Sequence, residues 1–129
     1  MRQDKIVIVE DDPAMSEALR RLLSVAGFTV SGFQSAEALL NSEMARDPAC
    51  LVLDVHLPGI SGFELRRRLV DSGSRAKVIF ITAQEDEHVR AEAFRSGAEA
   101  FFTKPFPGRK LIEALRAALA ANQYETIAP

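Results

Sequence analysis

Apolar positions along the chain gather into five short runs, at residues 6–9, 28–33, 50–53, 78–81 and 100–102. The first, third and fourth are nearly continuous in β-branched and aliphatic residues, the pattern of strands covered on both faces. Between the runs lie stretches of helical spacing. Met15, Leu19, Leu22, Leu23 and Ala26 share one face of a first helix, capped by Asp12, opened by Pro13 and stopped by Gly27. A second follows Ser35 with Ala36, Leu39 and Leu40. A third starts at Ser61, where Glu64 three residues on suggests a capping box, and buries Leu65 and Leu69. A fourth is expected over about 86–96, with Val89 and Phe94 its large apolar residues and Gly97 its stop. A fifth follows Pro107-Gly108 and repeats Leu111, Ile112, Leu115 and Leu119. Five strand–helix units in alternation predict an α/β fold: one parallel sheet with helices on both faces. Residues 122–129 lose the helical pattern and read as a tail or the start of a linker, leaving one domain over 1–121.

Composition changes this picture little. The chain has 129 residues, enough to bury a core. A net charge of -2 excludes a chain-wide basic field for nucleic acid. No apolar run reaches membrane-span length, and the amino-terminal residues lack the apolar stretch and small-residue cleavage site of a secretory signal. The expected compartment is the cytoplasm. Cys50 is the single cysteine, so no internal disulfide can form.

The polar residues carry the chemistry. In an open α/β sheet, ligands bind outside the carboxyl ends of the strands. The first run ends in Glu10-Asp11-Asp12, the third in Asp54, the fourth in Thr82-Ala83 and the fifth in Thr103-Lys104-Pro105, while the second ends in the chemically mute Gln34-Ser35. Glu10, Asp11 and Asp54 should crowd and repel one another. A hard divalent cation with oxygen ligands relieves that repulsion, and Mg2+ needs only one or two carboxylates. The same cation offsets the charge of a phosphoryl group, whose transfer needs positioning and electrostatic stabilisation more than covalent help. Lys104 can hold a second phosphoryl oxygen, and Thr82 with the Ala83 N–H a third. Asp54, at the centre of the rim, is the natural nucleophile. Asp12 is expected to act as a helix cap, because Pro13 follows it.

These residues resemble the receiver domains of bacterial two-component response regulators over almost the whole chain. The matching segments are IVIVEDD, LVLDVHLPGISG around Asp54, FITA at Thr82 and FFTKPF at Lys104, in order and spacing. The resemblance implies a flavodoxin-like (βα)5 fold with strand order 2-1-3-4-5. It implies Asp54 as phosphoacceptor, Glu10 and Asp11 as the acid pair, and Mg2+ held by Glu10, Asp11, Asp54 and the backbone carbonyl of His56. It implies a cis peptide before Pro105, and Thr82 and Phe101 as a conformational switch in which the Phe101 ring turns inward. The implied protein is a switch, not an enzyme: it accepts phosphate from a sensor histidine kinase or phosphotransfer protein and assists its own phosphorylation and dephosphorylation. The resemblance leaves the output open between transcription, with DNA reached only through a fused domain beyond this chain, and a stand-alone receiver; the homodimer it allows forms through the fourth helix, fifth strand and fifth helix. One departure stands out, since Glu10 lies where aspartate is commoner.

Two other functions compete. An aspartyl-phosphate phosphohydrolase of the haloacid-dehalogenase kind places a second acid two residues after the nucleophile, where this chain has His56. A flavin or nucleotide binder would need a phosphate loop where this chain has acids. Cys50, four residues before Asp54 in an extended run, lies about 13 Å from it and is expected to be a buried core thiol. His56 is expected at the mouth of the site and His88 on an exposed helix face; two lone histidines make no zinc site.

Overall fold

Strand and helix alternate as the spacing predicts. The computed structural model describes residues 5–43, 48–84 and 86–127. The elements are β1 (Lys5–Val9), α1 (Pro13–Val25), β2 (Thr29–Phe33), α2 (Ala36–Leu40), β3 (Cys50–Asp54), α3 (Gly62–Asp71), β4 (Lys77–Thr82), α4 (Glu87–Arg95), β5 (Ala100–Thr103) and α5 (Gly108–Ile127). All strand pairs are parallel, in the order β2-β1-β3-β4-β5. The chain therefore reverses direction of winding beside β1 and β3, and a crevice opens at their carboxyl ends.

Alternation along the strands sorts the core into two layers. Val7, Val9, Leu51, Leu53, Val78, Phe80 and Phe101 face α2, α3 and α4, against Leu39, Leu65, Leu69 and Ala93. Ile6, Ile8, Cys50, Val52, Ile79 and Ile81 face α1 and α5, against Leu19, Leu23, Leu111 and Leu115. Phe101 and Phe102 thus lie on opposite faces, as alternation requires.

The helix starts follow capping chemistry. Asp12 accepts from the Ala14 N–H at 3.0 Å, Ser35 from Ala38 at 3.0 Å, Ser61 from Glu64 at 3.1 Å and Asp86 from Val89 at 2.8 Å. The capping box at Ser61 is only half made. The Glu64 carboxylate turns away from the cap to Arg67 and to Arg68, the latter at 3.1 Å, because two cations within one turn outcompete a single backbone N–H.

The backbone of α5 continues through Ile127, past the end of the apolar repeat. Residues 122–127 contain neither Gly nor Pro, so their sequence holds no helix breaker. Residues 128–129 of the expected tail lie outside the described residues. Among the described residues no helix is long and apolar enough to cross a membrane.

Candidate functional site

Four strands deliver polar residues to one rim. Glu10 follows β1, Asp54 ends β3, Thr82 ends β4 and Lys104 follows β5. Glu10 and Thr82 are wholly buried and Asp54 is 4% exposed, so this polar cluster lies beneath the surface of the crevice. Buried charge requires pairing, and Lys104 supplies it. Its Nζ donates to Asp54 Oδ2 at 2.9 Å and also to Glu10 Oε1. The Lys104–Pro105 peptide is cis, as the resemblance implied.

Backbone donors reach the other oxygen of each carboxylate. The His56 N–H donates to Asp54 Oδ1 at 3.0 Å, and the Asp12 N–H to Glu10 Oε2 at 3.1 Å. Gly62 closes over the acceptor from α3: its N–H bonds the Val55 carbonyl at 3.0 Å, and any side chain there would overlap the Asp54 carbonyl oxygen. Burial pushes the Glu10 carboxyl up to about 7, against the Lys104 ammonium and the Asp12 N–H, which both pull it down. Burial works the other way on Lys104, but its bonds to Glu10 and Asp54 outweigh that, and its pKa is raised.

Glu10, Asp11 and Asp54 each present a carboxylate oxygen within 4.8 Å of the others, with Asp11 exposed at the mouth. Three hard oxygens facing one opening suit a small divalent cation. His56 and Ala83 are exposed at the rim as well.

Thr82 is already engaged. Its Oγ1 donates to the Gln84 carbonyl at 3.1 Å and accepts from the Gln84 N–H at 3.2 Å. Phe101 lies in the core, as its place on β5 requires. It is 8% exposed, packed in the same layer as Phe80 and Ala93, with the Arg90 guanidinium 5.2 Å from its ring centre.

The family follows from the whole sequence placed on this frame. Residues 6–116 match the model of the response regulator receiver domain. The chain belongs to that family. The receiver is 40% identical over 129 residues to the response regulator protein TodT of Pseudomonas putida, covering 99% of this chain and 57% of TodT. It is 39% identical to the transcriptional regulatory protein FixJ of Azorhizobium caulinodans, over 89% of this chain and 54% of FixJ. A solved structure of the response regulator StyR superposes with a TM-score of 0.86 at 34% identity, covering 97% of this chain and 63% of that one. The receiver thus spans little more than half the length of these curated relatives. Receivers are phosphoacceptor modules of two-component systems, and nothing favours the phosphohydrolase alternative: the position two residues after Asp54 is an exposed histidine.

Away from the rim, Cys50 is wholly buried among apolar neighbours as expected, and burial pushes its thiol up to about 12, which makes it inert at neutral pH. His88 is exposed on α4. Sequence reasoning missed Glu37, whose carboxylate meets the loop after Asp54. It is an acid in the first turn of a short helix, and no local pattern distinguishes it from a solvated one.

Proposed function

We propose that this receiver accepts a phosphoryl group on Asp54 from a sensor histidine kinase or phosphotransfer protein. The observation that carries the reading is the Lys104 ammonium, bonded at once to Asp54 and Glu10 in a buried rim. An Asp54 oxygen forms the new P–O bond. The donor's P–N bond breaks, and its electron pair leaves with the imidazole. Glu10, Asp11, Asp54 and the His56 carbonyl are the residues that would hold Mg2+, and the carboxylate trio fits a hard cation. Bound there, Mg2+ would offset the negative charge that gathers on the phosphoryl oxygens. Lys104 is placed to hold a second oxygen, and the Ala83 N–H with the Thr82 hydroxyl a third, once Thr82 gives up Gln84.

The switch element is Thr82 together with the backbone it bonds. The Lys104 N–H donates to the Thr82 carbonyl at 2.7 Å, so a shift of the loop after β4 pulls directly on the end of β5. Phe101 takes part as a packed ring carried by β5, held under Arg90. The output surface is α4, β5 and α5, the face for a homodimer. Transcription, reached through a DNA-binding domain outside this chain, is the output, and the cytoplasm is the compartment. The reading keeps 1–121 as the receiver proper, with the last turns of α5 leading toward that output domain.

Acetyl phosphate with Mg2+ tests the centre of this reading. The protein should gain one phosphoryl group by intact mass, and Asp54→Asn should gain none, because an amide cannot form the acyl phosphate. Equal labelling of Asp54→Asn would move the nucleophile elsewhere.

A further inference from the structure

Residues 55–61 join Asp54 to the first turn of α3. The loop carries His56, whose N–H holds Asp54 Oδ1. Its base is tightly closed. The Val55 N–H bonds the Ile81 carbonyl at 2.9 Å, the Gly62 N–H bonds the Val55 carbonyl, and Val55 and Leu57 are buried. Its tip is different in kind. Pro58 has no N–H to give, and Pro58 and Gly59 are exposed.

A side chain from another element reaches this tip. Glu37, in the first turn of α2, accepts the Ile60 N–H on Oε2 at 3.1 Å, across 23 residues of chain. Gly59 makes room for it. Its φ of +77° favours glycine, and a Cβ there would overlap Glu37 Oε2 and stand 3.3 Å from the carboxyl carbon. An ordinary first-turn acid would face solvent and favour only the helix dipole. This one is seated on a backbone turn shaped to receive it.

We infer that Glu37 is a positioning residue for the phosphoacceptor loop: by holding the Ile60 N–H it fixes the segment that aims the His56 backbone at Asp54. The inference rests on Asp54 being the phosphoacceptor. It ties α2, which contributes nothing to the rim itself, to the orientation of the Asp54 carboxylate and of the His56 carbonyl.

The test compares the parent with Glu37→Ala and Glu37→Gln. An exposed position makes both substitutions compatible with folding, which circular dichroism checks. Three readouts are taken: amide exchange at Ile60 and His56 in metal-free protein, Mg2+ affinity by amide-shift titration, and the rate of phosphorylation by acetyl phosphate. In Glu37→Ala both amides should exchange about five- to tenfold faster, and Mg2+ affinity should fall by a similar factor, the scale of one ordinary hydrogen bond. Glu37→Gln keeps a carbonyl acceptor and should recover most of both. A Gln variant that behaves like Ala would mean that negative charge near the cation matters, not the hydrogen bond, and overturns the inference. So does unchanged His56 exchange and Mg2+ affinity in Glu37→Ala. Should the parent itself bind no Mg2+ and accept no phosphate, the phosphoacceptor reading fails, and the metal-free exchange of His56 alone decides whether Glu37 holds the loop.

Discussion

Burial takes Glu10 out of water, and its carboxyl is therefore pushed from 4.5 up to about 7. The consequence for stability has a definite sign. Below about pH 4.5 the folded and unfolded chains both hold the proton; between 4.5 and about 7 only the folded chain does; above about 7 neither does. The contribution is thus fully present at low pH and is lost as pH rises through 7. Metal-free melts should show it as a fall in stability of at most about 3 kcal/mol across that window, superposed on the titration of other carboxylates. Glu10→Gln should flatten this part of the profile, because its amide does not titrate. A variant profile parallel to the parent's would assign the slope to other groups. Mg2+ competes with the same proton, so its affinity should climb as pH passes through 7. The Lys104 ammonium, with its raised pKa, stays charged throughout and keeps Asp54 paired.

Among the helices, α4 has the fewest buried residues. Ala93 is its single buried residue, whereas α1 buries Ser16, Leu19 and Leu23 and α3 buries Gly62, Leu65 and Leu69. Phe94 points outward, 52% exposed. A helix with so little apolar anchorage should open below the global unfolding free energy. Amide exchange by NMR should find α4 less protected than α1 and α3, by about tenfold for each 1.4 kcal/mol of missing anchorage. Equal protection in α4 and α3 would contradict a mobile switch helix. This weakness was readable beforehand, since Val89 and Phe94 are the only large apolar residues in the segment. The strands were equally legible: two-sided burial leaves near-continuous apolar runs, and side-chain alternation placed Phe101 and Phe102 correctly. The rim was legible because strand ends in a parallel sheet converge whatever the loops do. Contacts that depend on rotamers and long-range approach were not. The half-made cap at Glu64, the bond of Thr82 to Gln84 and the reach of Glu37 to Ile60 are each decided by competing partners that sequence order does not bring together.

Across the whole molecule the question is whether one phosphoryl group can supply enough free energy to switch the output face. Swinging a two-state equilibrium from 1:99 to 99:1 takes about 5.5 kcal/mol of differential stabilisation. One hydrogen bond from the Thr82 hydroxyl to a charged oxygen contributes roughly 1.5–3 kcal/mol. Against that stands the bond Thr82 already makes to the Gln84 carbonyl, which must be given up. On the proposed reading Thr82 alone would be insufficient, and Lys104 and the Ala83 N–H would contribute the remainder. The path outward is short: the Lys104 N–H bonds the Thr82 carbonyl, and Phe80 lies opposite Phe101 in the β4–β5 register. Phe101, carried by β5 and packed beside the Arg90 guanidinium, sits on that path. Thr82→Ala should then accept phosphate at a near-parental rate yet switch incompletely. Amide shifts over residues 86–105, followed with and without beryllofluoride and Mg2+, should move part of the way along the line between the parent's two states. A variant that travels the full distance would show that Thr82 is dispensable, and the switch would have to be driven by Lys104 and the loop backbone alone.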